Sequence, residues 1–238
     1  MATKTPKQKS EIVSIYQPIR VAVMIDGGFF TKRYNALYNK NRLHDPLTVA
    51  NALYHLAHMH VGNENYLYRI FYYDCVPLEK RIHNPISKRC INLTTSLEAV
   101  FKRQFIDELK RKRKVALRLG QLQMRNEWIF TPNATKSIIA GNKDSLNFTE
   151  SDVYLDIKQK GIDMKIGIDI TSLSIKRFVD KIVLISGDAD FVPAAKMARR
   201  EGIDFVLDPM FSPHINPSLY EHIDGLQSYQ LYKPNKKA

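Results

Sequence analysis

The sequence predicts an α/β fold, three layers (α/β/α) built around a mainly parallel sheet, and three observations carry that prediction. Short unbroken apolar runs, VAVMI at 21–25 and IVLI at 182–185, have the length and β-branched content of strands buried on both faces. Residues 181–208 (KIVLISGDADFVPAAKMARREGIDFVLD) read as a complete β-α-β unit, with Gly202 ending the helix and a second buried strand at 203–207. Four candidate strands also end in acid: Asp26 follows 21–25, Asp74 follows 67–73, Asp188 and Asp190 follow 182–185, and Asp208 follows 203–207. In open parallel sheets the carboxyl ends of the strands form the edge where ligands bind.

After Asp26 and Gly27-Gly28, residues 29–38 read as a helix or an irregular turn lined with aromatics. A helix is expected over 46–60, with Leu47, Ala50, Leu53, Tyr54 and Ala57 on one side. His55, His58 and His60 do not share one face, and no cysteine or acid completes a metal set, so they are expected to be ordinary helix-surface histidines. Pro77, Asn84 and Pro85 mark a loop carrying Lys80, Arg81, Lys88 and Arg89, either phosphate-holding or solvated. A long amphipathic helix follows at 93–109 and runs into KRKRK, 110–114. That run reads as a solvated helix end suited to the C-terminal dipole, with nucleic-acid contact as the second reading.

Residues 115–123 and 127–131 alternate like two strands of a hairpin turning at Met124-Arg125-Asn126. The polar stretch 132–154 reads as a long loop or flap. Ile162, Ile166, Ile170 and Leu173 then define a helix packed on the sheet, with Asp163 in its first turn. Asp169 lies about 120° around that helix from Asp163 and is placed to pair with Lys165. Asp190 reads as the N-cap of the helix of the β-α-β unit, and a short helix is expected around 219–226.

The chain has 238 residues and a net charge of +12, which fits one domain at 18–230 between basic tails at 1–17 and 231–238. A basic body around an acidic crevice suggests a polyanionic ligand. Several carboxylates facing one desolvated crevice repel one another unless they are protonated, paired or bound to a cation. An oxygen-only set of this kind suits Mg²⁺ or Mn²⁺ rather than zinc. Two cysteines, Cys75 and Cys90, make neither a disulfide framework nor a CxxC pair, so a cytoplasmic setting is expected. No apolar run approaches the roughly 20 residues that cross a bilayer, and no membrane partner is expected. A GxGxxG dinucleotide motif is missing, which argues against a Rossmann dehydrogenase.

Taken in order, VAVMIDGGFF (21–30), IFYYD (70–74), ALRLGQL (116–122), KGIDMKIGIDI (160–170) and IVLISGDADFVP (182–193) resemble the NYN domain family, and within it the LabA-like proteins. The resemblance implies a PIN-like nuclease with a Rossmann-like sheet. It also implies that Asp26, Asp163, Asp188 and Asp190 form a carboxylate cluster for a divalent metal. Ser186, Asp74 and Asp169 match positions close to such a site, and Asp208 is a further strand-end acid. Many members carry DGxN after the first strand; here Phe29 stands at the Asn position, so an amide that would orient a ligand or phosphate is missing.

The function expected on these grounds is a metal-dependent ribonuclease, with single-stranded RNA favoured by the family resemblance. Lys158, Lys160 and Lys196 are the candidate phosphate contacts. A nucleic-acid-binding regulatory module with little turnover is the alternative, supported by Phe29 and opposed by the retained acids. A Toprim-like domain would need a glutamate where Asp26 stands. Homo-oligomerisation is left open.

Overall fold

The computed structural model describes residues 17–41, 43–144 and 147–231, apart from the side chains of 125–127. The two basic tails therefore lie almost wholly outside the described residues. Seven strands form one sheet in the order β6-β5-β2-β1-β7-β8-β9. Here β1 is Arg20–Asp26, β2 Tyr66–Cys75, β5 Val115–Phe130, β6 Val153–Lys160, β7 Lys181–Ile185, β8 Asp204–Asp208 and β9 Gly225–Leu226. All neighbours run parallel except β5 and β6. A separate two-stranded hairpin, β3 (Arg81–His83) and β4 (Cys90–Asn92), occupies the expected basic loop.

Alternation along each central strand sends side chains to two helical layers. Val21, Val23, Ile25, Ile70, Tyr72 and Val183 face α1 (Gly27–Tyr38), α2 (Pro46–Val61) and α3 (Leu97–Lys110). Ala22, Met24, Phe71, Tyr73, Ile182 and Leu184 face α5 (Ile162–Ile175), α6 (Val192–Arg200) and the short α7 (Pro217–Tyr220). The apolar runs at 21–25 and 182–185 are thus buried on both faces, which is why they lack polar alternation. The three-layer α/β/α architecture is as the sequence predicts.

Several local expectations are corrected. Residues 115–130 make one continuous strand rather than a hairpin, and β6 supplies its antiparallel partner. The turn read at 124–126 is instead a register irregularity between Met124 and Trp128, a bulge within a ladder. The loop expected at 132–154 contains α4 (Pro132–Ile139), started by Thr131, whose Oγ1 accepts from Ala134 N at 3.2 Å, and by Pro132 in the first turn. In the tail, a four-residue helix at Pro217–Tyr220 and the strand β9 replace the helix expected at 219–226.

The connectivity changes direction at the centre of the sheet. From β1 the chain passes through α1 and α2 to β2 on one side, and it returns through α5 to β7 on the other. The carboxyl ends of β1 and β7 therefore flank a topological switch point, where an open α/β sheet leaves a crevice. Gly161, with φ +78°, adopts the left-handed turn that lets α5 start directly after β6 beside this crevice.

Candidate active site

Asp26 ends β1 and caps α1: its Oδ1 accepts from Phe29 N at 3.0 Å. The chain can make this abrupt strand-to-helix turn only with glycine next. A Cβ on Gly27 would collide with Asp74 Oδ2 and the Tyr72 hydroxyl. On the neighbouring strand, Ser186 follows β7, fully buried, and lies between two acids. Its hydroxyl approaches Asp26 Oδ2 at 3.4 Å, and its Oγ accepts from Asp188 N at 3.3 Å. Asp188 Oδ1 in turn accepts from Asp190 N at 3.0 Å. Asp188 therefore caps a 3-10 turn, Ala189–Phe191, that contains Asp190 and leads into α6; α6 itself has no side-chain cap, so Asp190 is not the N-cap that the spacing suggests.

Asp163 stands in the first turn of α5, near enough to Asp26 for its charge to be felt there. Electrostatics link the members. Burial raises the Asp26 carboxyl above its ordinary range; its bond from Phe29 N opposes that rise, and the charges of Asp163 and Asp74 add to it. Desolvation also raises Asp163, and Asp188 and Asp190 raise it further. Asp26 is half-buried, whereas Asp163, Asp188 and Asp190 stand at the crevice mouth, more open to solvent. Charge thus links Asp163 to Asp26, and Asp188 and Asp190 to Asp163.

The donor chemistry suits a hard divalent cation: carboxylate oxygens and a serine hydroxyl, with excess negative charge that a cation would offset. Among the described residues, however, no group of three or more His, Cys, Asp or Glu side chains converges on one ion-sized position. The set fits in donor type and charge, with its side chains standing apart.

The remaining acids have other partners. Asp74 is buried, receives the Tyr72 hydroxyl and pairs with Lys102, while its Oδ1 accepts from Cys75 N at 2.7 Å. Asp169 does not pair with Lys165; it accepts from Arg118 Nε at 2.8 Å and from the Tyr73 hydroxyl at 2.9 Å. Lys165 instead donates to the Leu119 carbonyl at 3.1 Å, since β5 passes beside α5. Asp208 is fully buried against His60 Nε2 at 2.8 Å and accepts from Ser228 Oγ and Met210 N. An acid thus does complete a pair with one of the three helix histidines, and His60 is a core group rather than a surface one.

Lys158 and Lys160 project from β6, and Lys196 from α6, all toward solvent. Between the two lysines of β6, Gln159 reaches the Asp26 turn: its Nε2 lies 3.4 Å from where a Cβ on Gly28 would stand. The Phe29 ring covers Gly187, the residue between Ser186 and Asp188. Lys102 and Gln159 carry no sequence signal of their own. Lys102 sits in a helix with several charged residues of both signs, and nothing in its spacing separates it from the solvated ones.

The NYN domain family model matches residues 93–221, more than half of the chain. That span includes Asp163, Asp188 and Asp190 and begins after Asp26. No curated protein matches. A crystal structure of a protein of unknown function from Vibrio parahaemolyticus RIMD 2210633 aligns over 90% of this chain and 94% of its own, at 13% identity and a TM-score of 0.49. Among the described residues no helix is long and apolar enough to cross a membrane.

Proposed function

Because the chain belongs to the NYN domain family, a family with a nuclease fold, we propose that it is a metal-dependent ribonuclease of the LabA-like type acting on single-stranded RNA. The observation that carries this proposal is geometric: Asp26 ends β1, Asp188 follows β7 on the adjacent strand, and both meet Ser186, with Asp163 close enough for its charge to act on Asp26. Clustered carboxylates are a cost to a pure RNA binder, because they repel phosphate.

In this account Asp26 and Asp188, which meet through Ser186 at the ends of adjacent strands, would hold a divalent ion. Bound Mg²⁺ or Mn²⁺ supplies Lewis acidity, lowering the pKa of a water and offsetting charge on the phosphoryl group. Asp163 and Asp190, at the crevice mouth, orient the attacking water and accept its proton. Lys158 and Lys160 on one side and Lys196 on the other bind the phosphates flanking the scissile bond. The domain spanning 18–230 then works as one catalytic unit in the cytoplasm.

The test incubates labelled single-stranded RNA, duplex RNA and single-stranded DNA with the protein plus Mg²⁺, Mn²⁺ or EDTA, beside Asp188→Asn. Single-stranded RNA should be cut with metal only. Loss of a partner outside the direct ligand set typically costs about 10–100-fold, so Asp188→Asn should lose at least that much. RNA affinity in EDTA should hold or rise, because a charge opposing phosphate is gone. A folded Asp188→Asn that cuts like the parent would remove the cluster from the reaction.

A second reading, an RNA-binding module with little turnover, is favoured by Phe29 over Gly187 and by the separated acids. Retained RNA binding with no cleavage under either metal would select it. Phe29→Asn would then be the substitution expected to restore cutting.

A further inference from the structure

A cavity of about 300 Å³ opens beside the acids, between α3, the residues after β2 and the β5–β6 pair. Leu78, Leu93, Leu122 and Ile157 give its wall an apolar character, while Lys102, Glu98 and Gln159 bring polar groups to it. Two of its lining residues touch the candidate active site directly. Asp74 stands against Gly27, and Gln159 against Gly28, the two residues that follow Asp26. The cavity therefore adjoins the turn that follows Asp26. Lys158 and Lys160 flank Gln159 on the exposed strand that forms its outer side.

We propose that this cavity receives one unpaired nucleobase of the RNA strand, next to the phosphate held at the acids. The proposal rests on the ribonuclease reading above. A nucleobase has apolar faces and an edge of donors and acceptors, and single-stranded RNA is recognised when such a base is splayed out of its stack. The walls of this cavity match the faces. The Gln159 amide offers both a donor and an acceptor, Glu98 an acceptor, and Lys102 a cation already balanced by Asp74. A phosphate is a poor occupant, since the walls are mostly apolar and Asp74 and Glu98 are acidic. A base in a duplex is stacked and paired, so it reaches the cavity only after being extruded. The cavity thus makes the enzyme selective for single strands through its shape.

The experiment uses the full chain in EDTA and a single-stranded oligoribonucleotide carrying an abasic nucleotide at each position in turn, with affinity read by fluorescence anisotropy. One position should lose about tenfold in affinity and the others little, the scale of a single base contact. Leu78→Trp, which places an indole in the cavity from an irregular segment, should lower affinity for intact RNA to the abasic level and abolish the position dependence. A flat abasic profile in the parent overturns the proposal, and so does cleavage of duplex as fast as of single strand. The parent's abasic profile decides the matter even if Leu78→Trp fails to fold. A flat profile with metal-dependent cutting intact would remove the base cavity and leave the ribonuclease. No RNA binding or cutting by the parent would remove both.

Discussion

Asp74 ties the crevice to the core through three partners of different kinds: a buried tyrosine hydroxyl, a backbone N–H and the Lys102 ammonium. Only the ammonium offsets its charge. Lys102→Met keeps the aliphatic stem and should destabilise the fold by about 1–3 kcal/mol, the range for leaving a buried polar group without its partner. The upper part of the range for buried ion pairs does not apply, because Lys102 is about a quarter exposed. Urea unfolding measures this, and an unchanged midpoint would mean that Tyr72 and Cys75 suffice. At this scale the sequence is informative where an acid ends a strand, since strand periodicity and the following turn fix its place. It is uninformative for Lys102, Gln159 and His60. Each gains its role from an element far away in the chain, and no local spacing encodes that meeting.

The stretch from Thr131 to β6 illustrates the element scale. Its polar composition resembles a loop, yet Thr131 and Pro132 start a helix, and Asp152 closes the far end. Asp152 Oδ1 accepts from Lys143 Nζ at 2.6 Å, and Oδ2 accepts from Thr149 N at 2.7 Å. The Lys143 bond, with the Thr149 backbone N–H next, holds the Asp152 carboxyl down at about 2. A depressed carboxylate stabilises the fold above its unfolded value, here 3.8, and that contribution is lost as pH falls through about 2. Asp152→Asn should therefore lower the melting temperature near neutral pH, and the gap from the parent should close between about pH 4 and pH 2. A gap that persists at pH 2 would assign the loss to packing instead of charge. The neighbouring segment 115–131 shows why alternation suggests a hairpin where there is none. Alternation identifies a strand but not its partner, and β5 pairs with Val153–Lys160, a segment that lies beyond the polar stretch rather than next to β5 in the chain.

For the whole molecule, the parallel sheet is legible because strands buried on both faces must be apolar throughout. The switch point between β1 and β7 is legible only in part, since strand order is not written in any one segment. That order also decides which basic groups can meet a substrate. Lys110 to Lys114 precede β5, and Lys114 lies 3.6 Å from the centre of the Tyr66 ring and donates to the Leu67 carbonyl, where β2 begins. The cluster is thus at the amino ends of the strands, roughly 20 Å of sheet away from Asp26 and Asp188. Its members also have local partners: Lys110 pairs with Asp107 at 2.7 Å, Arg111 with Glu108 at 2.9 Å, and Lys112 with Asn51. Lys158 and Lys160 instead stand exposed on β6, where Lys160 pairs with Gln121 just past the carboxyl end of β2. Replacing Lys110, Arg111 and Arg113 together by Gln should leave the slope of log affinity for single-stranded RNA against log salt unchanged. Replacing Lys158 and Lys160 by Gln should reduce that slope by about 0.7 for each phosphate that is no longer neutralised. Both measurements belong in EDTA, so that cleavage does not alter the ligand. If the 110–114 cluster changes the slope and the β6 lysines do not, RNA runs along the amino ends of the strands, away from the carboxylates, and the proposed path across β1 and β7 is wrong.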